Sequence, residues 1–129
     1  MSIEQETQAA GANVAPRITP ADIEAAINSE HYFTAQHGVE GAMACLELHQ
    51  SNRSGRPSYE SLRMLTFCVL VLRNGFTVTG ESACASPENF NAEVGRKVAR
   101  ANAIAKIWPL LGYELRTKLS ARADNEVTK

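Results

Sequence analysis

The residues of this chain best suited to chemistry are a short run of cations and a histidine–aromatic triplet. Arg96 and Lys97, with Arg100 one helical turn on, can track the phosphates of a nucleic acid or hold one phosphorylated small molecule through charge-assisted hydrogen bonds. The commoner fate of such a run is a solvated helix face. His31-Tyr32-Phe33 offers aromatic surface on which a base can stack, or a plug closing a helix. Thr79, Glu81 and Ser82 fall toward the end of an expected strand. There they suit the polar edges of a ligand or the solvated face of a hairpin.

Catalysis lacks a constellation. Serines, cysteines and three histidines are present, but no G-x-S-x-G elbow and no cysteine-protease signature occurs. Nothing pairs Glu81 with a base or a second carboxylate. Cys45 and His49 are four apart and could share a helix face, and Cys68, Cys84, His31 and His37 would complete a tetrahedral zinc site on paper. No pair has finger spacing, and a buried cysteine is an ordinary small hydrophobe. Walker and dinucleotide fingerprints are absent as well. The residues therefore call for no metal, no cofactor and no enzymatic activity.

Composition bounds what must position these groups. At 129 residues with 44% hydrophobic and 21% charged residues, the chain fits one globular domain and is not wholly disordered. The net charge of -1 argues against nucleic acid as the partner. That neutrality hides a split: residues 1–60 hold three positive and eight negative side chains, whereas residues 86–122 hold seven positive and three negative. The longest apolar stretch, Phe67 to Leu72, is too short to span a bilayer, and the polar start does not look like a signal peptide. Three cysteines without C-x-x-C suit a reducing compartment, so a cytoplasmic location is expected.

The elements follow from caps, turns and periodicity. Residues 1–16 read as a disordered leader, residues 17–119 as a single α+β domain and residues 120–129 as a polar tail. Thr19-Pro20-Ala21-Asp22 opens a helix, with Thr19 as N-cap and Pro20 in the first turn. Ile23, Ala26 and Ile27 give it one apolar stripe, and its end is expected near His31-Tyr32-Phe33. Gly38 and Gly41 should interrupt any continuous helix; residues 42–48 could form two turns, residues 51–57 a loop, and residues 59–64 a further turn or the lead into a strand. Two β-forming runs flank Asn74-Gly75, which predicts a two-residue type I′ hairpin. That turn sets Val71 opposite Val78 and Val69 opposite Gly80, with Phe67, Val69 and Val71 facing the core. Ser86-Pro87-Glu88 then opens a long helix with an apolar stripe at Phe90, Val94, Val98, Ala101, Ala105 and Trp108, ending or kinking at Pro109. A lone hairpin is marginal, so a further strand from residues 36–60, or sheet pairing across a homo-oligomer, is expected.

Residues 65–90, LTFCVLVLRNGFTVTGESACASPENF, together with Glu93-x-Gly95-Arg96-Lys97, Lys106-Ile107-Trp108-Pro109-Leu110 and Gly112-Tyr113, resemble the signature of the gp-forty-nine-like family of small tailed-phage proteins. Residues 23–33 resemble its N-terminal segment. The resemblance implies a phage or prophage accessory protein acting in the host cytoplasm and assigns no agreed activity. By analogy of life-style with other small phage proteins, it suggests an oligomeric anti-defence module that sequesters a phosphorylated, nucleotide-like small molecule. Tyr32 or His31 would then stack on the base, Arg96, Lys97 or Arg100 would meet phosphate, and Thr79, Glu81 or Ser82 would bind polar edges. The alternatives are an inhibitor of a host enzyme acting through the exposed hairpin face and, third, a nucleic-acid-binding protein.

Overall fold

The computed structural model describes residues 3–9, 11, 15–45 and 59–127. Its elements are α1 (Ile3–Ala9), α2 (Pro20–Ala26), β1 (Ile27–Thr34), α3 (Ala35–Cys45), α4 (Tyr59–Arg63), β2 (Leu65–Leu72), β3 (Thr77–Ala83) and α5 (Ala92–Val127). The three strands form one antiparallel sheet in the order β1-β2-β3. One face of that sheet is covered by α5, so the fold is α+β.

The start of α2 follows its sequence. The Thr19 hydroxyl accepts from the Asp22 amide while the Asp22 carboxylate accepts from the Thr19 amide, a reciprocal capping box. The end does not. Ile27 leaves the helix and begins β1, so His31-Tyr32-Phe33 lies on an edge strand and not on a helix end. Asn28 and Ser29, poor helix formers, help to end α2, the β-forming Tyr32, Phe33 and Thr34 favour extended backbone, and pairing with β2 supplies the hydrogen bonds, with an irregularity between Ile27 and Ser29. The third strand of the described sheet thus comes from residues 27–34; of the expected 36–60 segment, the described parts fall in α3 and α4, and residues 46–58 lie outside the described residues. The polar and charged side chains of β1 blunt an exposed sheet edge. Downstream, α3 runs through both Gly38 and Gly41, and residues 51–57 lie outside the described residues.

The hairpin is where expected, but its register is shifted by one. Gly75 N donates to Leu72 O at 2.9 Å, Leu72 N donates to Phe76 O at 2.8 Å, and Gly75 has φ +90°. Arg73, Asn74 and Gly75 therefore form a three-residue loop, with a turn over 72–75 and glycine in the left-handed position. Leu70 now faces Val78, and Cys68 faces Gly80. A one-residue slip exchanges the faces of a strand. Thr66, Cys68, Leu70 and Leu72 are buried, while Phe67, Val69 and Val71 are half-buried on the outer face.

The same correction applies to α5. Asn91 caps it, its side-chain oxygen accepting from Val94 N at 3.0 Å, and Pro87–Asn89 form a separate 3₁₀ turn. The helix passes through Pro109 and extends for 36 residues. Its buried face is Gly95, Ala99, Ala103 and Ile107, one residue round from the expected stripe. Small residues win this face because the α5 backbone rests directly on Gly80 of β3, leaving no room for valine or tryptophan. Val94 is 55% exposed, Val98 43% and Trp108 39%. Ile23, Ile27, Leu70, Leu72 and Val78 complete the core.

Within the stretch expected to be a leader, Ile3–Ala9 form a helix that Arg17 holds through an ion pair with Glu4. Within the expected tail, α5 continues to Val127.

Candidate functional site

A cleft opens where β1 hands over to α3, beside the start of α5. Its walls are Tyr32, Phe33 and Phe90, and its polar groups come from Thr34, His37, Thr66 and Arg96. The chain builds it locally. Thr34 caps α3: its hydroxyl accepts from His37 N at 3.2 Å, and Thr34 N donates to His37 Nδ1 at 3.1 Å. Because Nδ1 accepts, a neutral His37 ring carries its proton on Nε2, leaving that nitrogen as a donor. Ala92, the first residue of α5, also lines the cleft. The N-terminal ends of two helices, each carrying partial positive charge, thus converge on one space.

Arg96 adds a full charge. It is exposed and makes no ion pair among the described residues. The aromatic side chains are packed from outside the cleft: Phe33 stacks on Phe67 with centroids 5.6 Å apart, and the Arg63 guanidinium lies 5.6 Å from the Phe90 ring. The cavity measures about 80 Å³. A space of that size fits a phosphoryl or carboxylate group, and a larger ligand would extend out of the open cleft across the aromatic side chains.

Of the residues singled out by sequence, Tyr32 and Arg96 meet here. The Tyr32 hydroxyl donates to Glu30 Oε1 at 2.8 Å. Burial, reinforced by that hydrogen bond, pushes its phenol above the usual range, so it serves as a neutral donor. Arg100 stands apart: its guanidinium donates to Glu24 at 2.8 Å and to Glu30 at 2.6 Å, clamping α5 to α2 and β1. Lys97 pairs with Glu93 on the same exposed helix face at 3.5 Å. His31 lies on the opposite, outer face of the sheet, where its Nε2 sits 3.0 Å from Ser29 Oγ. Thr79 and Glu81 share that outer face; Lys106 Nζ reaches Thr79 Oγ1 at 3.5 Å, and Asn102 Nδ2 donates to the Glu81 carbonyl at 2.8 Å. Ser82 pairs with Thr66 on the covered side. The sequence reading missed Thr34 and Thr66, and it named His37 only as a zinc ligand on paper and Phe90 only in the apolar stripe of the long helix. The Thr34-x-x-His37 spacing is the one signal that could have found two of them, as a helix cap.

Cys45, Cys68 and Cys84 are free thiols, and no group of three His, Cys, Asp or Glu side chains suited to a metal occurs among the described residues. His49 lies outside those residues. No described helix is long and apolar enough to cross a membrane.

Residues 18–119 match the family described as phage protein (N4 Gp49/phage Sf6 gene 66) family. No curated protein and no solved structure matches the chain.

Proposed function

This chain belongs to the N4 Gp49/phage Sf6 gene 66 family of phage proteins, and on that premise we propose that it is a non-enzymatic binding module for a phosphorylated, nucleotide-like small molecule of the host. One observation carries the reading: two helix N-termini, the His37 ring and the unpaired Arg96 converge on a cavity of about 80 Å³ with an aromatic rim. A terminal phosphoryl group fills such a space, meeting Arg96 as a bidentate partner and Thr34, Thr66 and His37 as neutral donors. The base then lies outside, against Tyr32 or Phe90. The His37 ring accepts from the Thr34 amide and not from its hydroxyl, which supports reading the ligand as held and not turned over.

The test is a thermal-shift and calorimetric series with inorganic phosphate, nucleoside monophosphates and cyclic dinucleotides. A nucleotide present at about 100 times its Kd stabilises the fold by about 2.7 kcal/mol. Arg96→Ala removes the shift, and the ligand is recovered unaltered. If no nucleotide shifts the transition, or if Arg96→Ala leaves binding intact, this reading fails. A chemically altered ligand overturns its non-enzymatic part.

A further inference from the structure

The face of α5 that points away from the sheet carries its own pattern. Val94, Val98, Ala101, Ala105 and Trp108 recur at steps of four and three and are all exposed, whereas Gly95, Ala99, Ala103 and Ile107 on the other side are buried. Four-three spacing is that of a helix seam closed by a second helix. No described element covers this one. We infer that the outer face of α5 is the contact between two copies of this chain, paired antiparallel.

Three features select a second copy and fix its direction. The first is self-complementary size. With Ala101 of one copy beside Ala105 of the other, the same register sets Trp108 against Val98 and Gly112 against Val94, on both sides of a two-fold axis. The largest side chain thus meets a medium one, the small meet the small, and the smallest meets a valine. A parallel pair would instead stack Trp108 on Trp108 and leave the alanine layers gaping. The second feature is the glycine itself: a methyl group added at Gly112 meets nothing within 4 Å in the single chain. Intramolecular packing therefore gives no reason for its small size, and close approach by another helix does. The third is charge. Glu93, 72% exposed and within 3.5 Å of Lys97 on its own helix, flanks the N-terminal end of the stripe, and Arg116 flanks the other. Arg116 makes no ion pair among the described residues. Antiparallel pairing sets acid beside base at each end of the seam, and parallel pairing sets like beside like.

The dimensions suffice. Residues 94–112 run for about 27 Å at 1.5 Å per residue, and alanine at the centre lets two helices approach to about 8 Å. The interface is isologous, as a two-fold dimer requires. It leaves the cleft at Arg96 within each chain, so it stands or falls independently of ligand binding.

Native mass spectrometry and sedimentation of the full chain at tens of micromolar should give twice the 14.0 kDa monomer. Ala101→Glu, at an exposed position compatible with helix, should give monomer with an unchanged circular-dichroism spectrum. A second measurement fixes the direction. In a Cys45→Ser background, chains bearing Ala101→Cys and chains bearing Ala105→Cys are mixed and oxidised. Antiparallel pairing gives the mixed disulfide, while parallel pairing gives each variant linked to itself and overturns the arrangement. A monomeric wild-type chain, or a dimer indifferent to Ala101→Glu, overturns the interface altogether.

Discussion

Gly80 on β3 lies directly under the backbone of Ala99 and Ala103 on α5. A methyl group built on it would overlap the Ala99 carbonyl oxygen and the Ala103 amide nitrogen and would sit 2.9 Å from Ala103 Cα. No side-chain rotation relieves a clash with main chain. Gly80→Ala must lift the helix from the sheet or bend the strand, and overpacking of this kind costs about 3 kcal/mol. Urea denaturation should show a lower midpoint with an unchanged slope. An unaltered midpoint would mean that α5 does not rest on β3 here.

The loop between β2 and β3 gives a second, smaller expectation. Gly75 alone takes the left-handed conformation, at φ +90°, while Asn74 Oδ1 accepts from Phe76 N at 3.0 Å. Gly75→Ala should therefore destabilise by about 1 kcal/mol through backbone strain. Asn74→Ala should cost less, since it loses one exposed hydrogen bond. Equal, large losses at both positions would instead favour a two-residue loop, in which both residues need positive φ.

That distinction explains how far the sequence could be read. Asn74-Gly75 marks a hairpin, yet the pair fits the middle and end of a three-residue loop as well as the whole of a two-residue one. The choice moves Val69 and Leu70 to opposite faces. On α5 the larger apolar side chains at Val94, Val98 and Trp108 outweigh Gly95, Ala99 and Ala103 in any hydrophobicity pattern. Only the tertiary contact with Gly80 shows that the small residues face inward. Local signals fared better where the physics is local: the Thr19–Asp22 box starts α2 where its residues say it should. The candidate site was legible only at Tyr32 and Arg96, because the partners that define it, His37 and Phe90, come from separate segments brought together by packing. Arg100 could not be told from Arg96 by spacing. Its use as a clamp depends on Glu24 and Glu30, some seventy residues earlier.

The α2 cap is testable in isolation. Thr19→Ala removes the acceptor for the Asp22 amide and the hydroxyl that donates to Asp22 Oδ2 at 2.9 Å. A loss of about 1 kcal/mol in global stability is expected. Thr19→Ser, which keeps the hydroxyl, should restore most of it.

The clamp between Arg100 and Glu30 makes stability depend on pH in a predictable direction. The hydrogen bond from Arg100, joined by that from Tyr32, outweighs partial burial and holds the Glu30 carboxyl below its usual range. A carboxyl whose folded pKa is depressed stabilises the fold above its unfolded pKa. That contribution fades as pH falls through the folded value. The window therefore lies below the ordinary glutamate range of about pH 4.5. Glu30 is 37% exposed and Arg100 28%, so solvent screening limits the coupling to about 1 kcal/mol. A double-mutant cycle with Glu30→Gln and Arg100→Met measures it, and the amide of Gln can still accept from Tyr32. The coupling should be full at pH 7, persist to pH 5, and decline toward pH 3; it should also shrink in high salt. A coupling energy that stays constant down to pH 3 would show that Arg100 packs against β1 without using its charge on Glu30.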